Sequence, residues 1–481
     1  MTLAIVLAYF AILVVIGGYA YRKVNNSTDQ YFVAGRSLGT FVNSWAFLAS
    51  LASGGSIMAA VGTGIALGFP YGAALVAGAP VGFAVASIFV ARPLRELGKY
   101  TVPDYFSSRY NSRLMRWAVP IIIVAASMAY IVAQLKGASI VASYLLGWDY
   151  STGVWITGFI FVLYVSIGGF LAVTWNDIFQ GILMFAMMIG FSVAVLASLD
   201  SFGATFTQAT VDYPALGKVS AVLPISSYVG GFLTWATAIS VLPHVIMRVY
   251  SSKNVRSARL SLNYAMLLFG AMMLMVALIL TPAAATLIPN LDLSEPDAAF
   301  LALSEHVLGP LGQGFVAAAI LAAIMSTTAG LLMACNSAIG HDIYSEILRP
   351  NASEKQVVRV ASVATWVIGL TCMIFALNPP QFLIVLYTAA VALLASSFFA
   401  PMILGVWWRR TTTQGATYGM VTGALLFSGA FLFLDMPAST EVLIGLPASF
   451  LVTILMSLLT TEPDPNQIAD GRVSDSTSRT A

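Results

Sequence analysis

Apolar runs of about twenty residues recur from one end of this chain to the other, and nearly every charge falls in the short stretches between them. A chain patterned this way has one solvent in which it can fold, the lipid bilayer. Two charged residues interrupt the apolar body, Lys136 and Asp177. A charge at membrane depth costs roughly 2.5–3.5 kcal/mol even on the lenient insertion scale, so such residues are seldom idle.

Thirteen segments satisfy the length needed for a spanning helix, at 2–21, 41–67, 72–93, 114–146, 151–174, 176–199, 225–246, 258–287, 311–340, 358–377, 381–408, 413–434 and 441–461. The segment 2–21 carries no charge, and Arg22 and Lys23 follow it. A cleaved signal peptide has the opposite order, so this reads as an uncleaved first span with its N-terminus outside. The connectors then assigned to the cytoplasm, with their flanks and the C-terminal tail, hold 20 of the 22 Lys and Arg, the exceptions being Lys136 and Lys218. The outer connectors are acidic, with Asp149, Asp200, Asp292, Asp297 and Glu305 among their residues. Adding or removing one span would place strongly basic loops outside, against the positive-inside rule.

The chain is 59% hydrophobic and 9% charged, where a soluble domain carries about 25% charge. One all-α transmembrane domain over 1–461 is expected, with a disordered cytoplasmic tail at 462–481. The net charge of +2 gives no ground for a nucleic-acid surface, because the basic residues cluster at membrane edges. Cys335 and Cys372 both lie in apolar segments and imply neither a disulfide nor a metal framework.

Two spans look alike in an unusual way. The second contains Ala49-Ser-Leu-Ala-Ser-Gly-Gly-Ser56 and then Gly62-Thr63-Gly64. Five spans later, the seventh contains Ser227-Tyr-Val-Gly-Gly-Phe-Leu-Thr-Trp235. Matching interrupted helices in two halves point to an inverted-repeat transporter, here with repeats at about 41–199 and about 225–408. Unwound backbone at that depth is tolerated where it lines a site. Close packing of small residues is the competing explanation.

Five motifs, in order along the chain, carry a family resemblance. They are Tyr31-Phe-Val-Ala-Gly-Arg-Ser-Leu38, Gly168-Gly-Phe-Leu-Ala-Val-Thr-Trp-Asn-Asp-Ile-Phe-Gln-Gly181, Leu242-Pro-His-Val-Ile-Met-Arg248, Ala322-Ala-Ile-Met-Ser-Thr-Thr328 and His341-Asp-Ile-Tyr344. Together they resemble the sodium:solute symporter family. The resemblance implies thirteen spans, with the second to the eleventh forming a five-plus-five inverted repeat. It also implies alternating access and sodium-driven uptake of a small organic solute.

Sodium is a hard cation and takes oxygen ligands, as calcium and magnesium do. Ala323, Ser326 and Thr327 share one helix face, so one carbonyl and two hydroxyls can converge. Hydroxyls bonding to their own helix backbone are the alternative. The resemblance places sodium at these residues and completes its shell with carbonyls of the broken second span, which map to Ala52 and Gly55. Some members, proline carriers among them, have an aspartate where this chain has Gly54. The span holds no carboxylate, so the site is uncharged and proton coupling stays open. For Asp177 the resemblance implies a place on the cytoplasmic exit path of the ion. Capping of a helix N-terminus explains an acid there equally well.

Lys136 can snorkel toward the surface. Facing inward, it can pair with a carboxylate solute or carry a proton. Tyr130 and Gln134 lie close to it on the same helix. Trp235, eight residues before Pro243, and Tyr387 in the eleventh span are the aromatic candidates for the solute site, by analogy with relatives whose aromatics line it. His244 reads as structural.

Arg109-Tyr-Asn-Ser-Arg113, Asn176-Asp177 and Asn378-Pro-Pro380 are most similar to pantothenate and monocarboxylate carriers. The expected solute is therefore a small carboxylate, with a proline-type symporter as the alternative, which Gly54 counts against. An enzyme needs clustered carboxylates, paired histidines or a nucleophile with its base, and His244, His306 and His341 lie far apart in the topology. No filter loop is repeated by symmetry as in a channel. The expectation is a monomeric carrier in the cell membrane, with sodium as its coupling ion and no cofactor.

Overall fold

The computed structural model describes residues 2–21, 28–288, 296–379 and 383–461. The tail at 462–481, expected to be disordered, lies outside the described residues. All named elements are helical. We label the helices that matter here α1 (Thr2–Tyr21), α2 (Thr40–Leu51), α3 (Gly54–Ala66), α4 (Phe69–Leu97), α5 (Val102–Tyr110), α6 (Arg113–Leu146), α7 (Tyr150–Ser166), α8 (Gly169–Ser198), α9 (Ile225–Ala238), α10 (Pro243–Ser251), α11 (Val255–Leu287), α12 (Ala299–Val307), α13 (Pro310–Leu348), α14 (Glu354–Ala376), α15 (Leu383–Trp407), α16 (Thr413–Phe433) and α17 (Val442–Leu459). Among the described residues, eleven helices are long and apolar enough to cross a membrane. The bent pair α2–α3 makes a twelfth, and the shorter apolar α7 fills the remaining expected position.

The first interruption falls inside the glycine- and serine-rich stretch 49–56, whereas the stretch 227–235 of the seventh span is continuous helix and that span breaks after it, at residues 239–242. The second span bends by 48° between α2 and α3. Ala52 is extended there (φ −68°, ψ 104°). Ser53 then starts a new helix with a reciprocal cap: its hydroxyl accepts from the Ser56 amide at 3.2 Å, and the Ser56 hydroxyl accepts from the Ser53 amide at 2.8 Å. That box satisfies amides a broken helix would leave bare in lipid. The seventh span breaks between α9 and α10. Leu242 is extended, and Pro243 opens α10, where its missing N–H removes nothing.

The α13 helix runs through the centre and is buried along almost its whole length, with α1, α6 and α8 packed around it. Glycine lets α4 lie close to α9: a Cβ on Gly82 would come within 2.3 Å of the Trp235 carbonyl. This is close packing through small residues, the usual means of helix association in lipid. It presents Trp235 to the interior.

Candidate functional site

The break in the second span faces α13. The Ser326 hydroxyl donates to the Ala49 carbonyl at 2.7 Å and lies 3.1 Å from the Ala323 carbonyl. The Thr327 hydroxyl lies 3.3 Å from the carbonyls of both Ser50 and Ala52. Every one of these residues is fully buried. The last turn of a helix has carbonyls without intrahelical partners, and here they are gathered against two hydroxyls in a neutral, oxygen-rich cluster. Ala52, Ala323, Ser326 and Thr327 are thus brought together. Gly55 lies in the first turn of α3 and packs on Tyr387, whose ring would be 2.2 Å from a Cβ there.

Each of the two charges in the apolar body has an opposite charge beside it. Asp177 on α8 pairs with Arg248 on α10, and both are buried. The Arg248 Nε also donates to the Ser50 hydroxyl, and its guanidinium lies 5.3 Å from the centre of the Phe170 ring. The Ser50 carbonyl is one of those facing Thr327, so this pair is one residue away from the hydroxyl cluster. Nearby, Gln180 donates to the Tyr9 hydroxyl at 2.7 Å. His244 is buried against Gly330 of α13.

Lys136 on α6 neither snorkels outward nor stands as an isolated cation. Its Nζ lies 3.1 Å from Oδ2 of Asp297, and both side chains are largely buried. The sequence assigned Asp297 to an outer connector. In the structure it belongs to the short turn Pro296–Ala298 that packs against α3. Arg248 stands in the sequence only as the last residue of the Leu242–Arg248 motif. Neither partner carries a sequence signal, since pairing over 161 or 71 positions is decided by the fold.

The aromatic candidates meet. Tyr130 on α6 stacks on Tyr387 on α15 (ring centres 5.5 Å apart), and Trp235 on α9 is tilted against Tyr387 at 5.9 Å. Trp235 and Tyr387 line a cavity with Ser56, Thr63 and Gly64 of α3 and Phe269 and Thr281 of α11. No described lining residue carries a charge. Gln134 is fully buried, and neither its amide nitrogen nor its oxygen has a partner. A Cβ on Gly54 would come within 2.7 Å of the Ile324 side chain, which fills that space, and would be in ordinary contact with the Gln134 oxygen at 3.6 Å. Buried polar groups are almost always satisfied, so an unsatisfied buried carboxamide calls for an explanation.

At the end of the bundle where the basic connectors gather, α5 docks on the end of α13. His341 lies 3.3 Å from Asp104, and Thr101 donates to Asp342 at 2.8 Å. Burial works against the Asp104 carboxylate, but bonds from His341 and the Tyr100 amide, with Lys99 nearby, outweigh it and hold the carboxyl below its ordinary range.

A bundle whose second and seventh spans are both interrupted, with Ser56 beyond the first break and Trp235 ahead of the second lining one cavity, is the architecture of an alternating-access membrane carrier. The chain belongs to the sodium:solute symporter family, which it matches over residues 31–423. It is 30% identical to the high-affinity proline transporter of Bacillus subtilis (strain 168), over 94% of this chain and 96% of that one. It is 28% identical to the sodium/proline symporter of Staphylococcus aureus (strain JH9), over 98% and 96%. Its fold is similar to that of a Na+-coupled sialic acid symporter in a substrate-bound outward-open state (TM-score 0.77, 17% identity, 96% of this chain and 98% of that one). It is also similar to a nucleobase-cation-symport-1 family transporter in a closed conformation (TM-score 0.58, 15% identity, 93% and 98%). The family is one of transporters, so the chain is a transport protein and not an enzyme.

Proposed function

We propose that this protein is a sodium-coupled importer of a small, net-neutral amino acid of the proline type, rather than of the carboxylate anion that the local motifs suggest. The observation that carries the reading is the charge balance around the cavity. The lining residues are uncharged, and the one lysine at that depth is matched by Asp297. A net anion brought into such a place would leave a buried charge without a counter-charge. A zwitterion brings both charges with it, and helix ends at the two breaks offer dipoles to each. The identity to proline carriers over nearly the whole chain agrees with this.

Sodium is held by the hydroxyls of Ser326 and Thr327, the carbonyl of Ala323 and the carbonyls of Ala52 and Gly55 on either side of the break. Asp177, tied through Arg248 to Ser50, lies on the path by which the ion leaves. Trp235, Tyr387 and Tyr130 form the apolar wall for the solute, and Gln134 its polar contact. The face with basic connectors is cytoplasmic and the N-terminus outside, as the positive-inside rule requires. The carrier works as a monomer in the cell membrane.

Uptake of labelled proline, acetate, pyruvate and pantothenate into proteoliposomes tests the reading, first with an inward sodium gradient and then with a proton gradient alone. Proline should accumulate, and only with sodium. Accumulation of a carboxylate instead would overturn the solute, and accumulation with protons alone would overturn the coupling ion. Gln134→Ala should raise the half-saturating proline concentration about tenfold, the worth of a lost hydrogen bond to a charged group of roughly 1.5 kcal/mol. An unchanged value would remove Gln134 from the site.

A further inference from the structure

We infer that Asp104, His341 and Asp342 form a site for a divalent transition-metal ion of the zinc type, which ties α5 to the end of α13. The site lies at the basic-connector end of the bundle, and its reading is independent of the solute and of sodium. One ligand atom from each of the three side chains lies within 4.8 Å of the other two, and all three residues are more than nine-tenths buried. The carboxylates are already oriented. Asp104 Oδ2 accepts from the Tyr100 and Thr101 amides at 3.0 and 3.1 Å, and Asp342 Oδ1 accepts from the Thr101 hydroxyl at 2.8 Å. That leaves Asp104 Oδ1, 3.3 Å from His341 Nε2, and Asp342 Oδ2, which is buried with no hydrogen-bond partner.

A hydrogen-bonded helix cap explains part of this arrangement, but not the unpartnered oxygen, nor two carboxylates gathered about one imidazole. A metal ion explains both. In a tetrahedral zinc site, bonds of about 2.0–2.1 Å set ligand atoms about 3.3–3.4 Å apart. The separation of His341 and Asp104 is already that of two ligands on one ion. The Asp342 carboxylate closes the third position by a small side-chain shift. Imidazole nitrogen with carboxylate oxygens suits zinc, whereas hard cations take oxygen ligands. Amide and hydroxyl bonds behind ligating carboxylates are the usual outer shell of such a site. The fourth position opens on a cavity of about 150 Å³ lined by Ser107, Ser108 and Glu346, which gives the ion a way in. Three carboxylates line that cavity against one cation, Arg116, which donates to Asn111 at 2.8 Å. At Ala338–Leu348 α13 winds as a wider π-helix, a departure that recurs at functional sites. The α5 helix is also bonded to the end of α15, through Tyr105 to the Met402 carbonyl and Arg109 to the Gly405 carbonyl. An ion here would restrain, through α5, the relative movement of the two helices that carry Ser326 and Tyr387.

The test is metal binding by the whole protein in detergent, stripped with a chelator and free of solute. Zn²⁺ is titrated by calorimetry, and Co²⁺ is added separately to read the visible absorption of a four-coordinate ion. One Zn²⁺ per chain should bind, Co²⁺ should give the four-coordinate spectrum, and Zn²⁺ should raise the thermal unfolding midpoint. His341→Gln keeps a donor for Asp104 while removing the imidazole ligand, and should fold as the parent does. It should weaken Zn²⁺ binding about a hundredfold or more, since outer-shell changes alone cost roughly 10- to 100-fold, and should lose the cobalt spectrum. Asp342→Asn should do the same. His306→Ala, at an exposed histidine outside the cluster, should bind as the parent does. A parent that binds no Zn²⁺ would overturn the proposal. Parent-like binding by His341→Gln or Asp342→Asn would show an adventitious ion held elsewhere, and overturns it too. These readouts need neither sodium nor solute, so a failure of the transport reading would be seen separately.

Discussion

Replacing Ser326 and Thr327 together with alanine is expected to abolish sodium-stimulated uptake at ordinary sodium concentrations. In the proposed sodium site each hydroxyl offers an oxygen to the ion, and an interaction of this kind with a charged group is worth about 1.5–3 kcal/mol. Losing both weakens sodium binding by roughly 3–6 kcal/mol, or about 10²- to 10⁴-fold. The hydroxyls also hold α13 against the end of α2, so the single variants separate the effects. Ser326→Ala loses the 2.7 Å bond to Ala49, whereas Thr327→Ser keeps a hydroxyl facing Ser50 and Ala52. A sodium titration of uptake is the measurement, with membrane protein levels as control. Retention of full sodium dependence by the double variant would show that the ion binds elsewhere.

Asp177→Asn should be the most damaging single change to stability. It leaves the Arg248 guanidinium fully buried without its counter-charge, and removing one member of a buried pair costs about 3–5 kcal/mol. The thermal unfolding midpoint of the protein in detergent should fall sharply. Asp177→Asn combined with Arg248→Met removes both charges and should recover much of the loss. Recovery will not be complete, since Arg248 also bonds Ser50 and packs on Phe170. A double variant as unstable as Asp177→Asn alone would show that the charge pairing is not what holds α8 to α10.

The spans were legible in the sequence because they follow from a local property, a sufficient length of apolar residues ended by charge or by turn residues, although the boundary between the fifth and sixth, expected at about residue 175, lies at Gly169. The first break was legible for a similar reason. Gly54-Gly55 beside two capping serines is a decision made within a few positions of the chain, whereas in the seventh span the glycine pair Gly230-Gly231 stays helical and the break comes only before Pro243. Lys136 and Asp177 were conspicuous because nothing nearby in the sequence matches them. Their partners were not, because Asp297 and Arg248 look ordinary where they stand, one in an acidic connector and one at a basic helix end. Only the return of the Pro296–Ala298 turn into the bundle makes Asp297 an interior residue. The aromatic candidates came from separate helices, and their meeting around Tyr387 is likewise a product of packing. The solute followed the same pattern: local motifs favoured a carboxylate, and a pairing invisible in them favours a zwitterion.

Gly169 bears on how the chain is threaded into the bilayer at all. The helical stretch Tyr150–Ser198 has 49 residues and is interrupted in conformation at this one position (φ 58°, ψ −164°). Run straight, it would be roughly 70 Å long, more than twice the hydrocarbon thickness. The break therefore decides whether the translocation machinery reads one overlong segment or two proper ones, and so the side on which every later connector emerges. Any other residue would strain the backbone there and press a Cβ to within 2.7 Å of the Tyr31 ring. One residue without a side chain thus sets the parity of the remaining spans, and with it the sidedness of half the molecule.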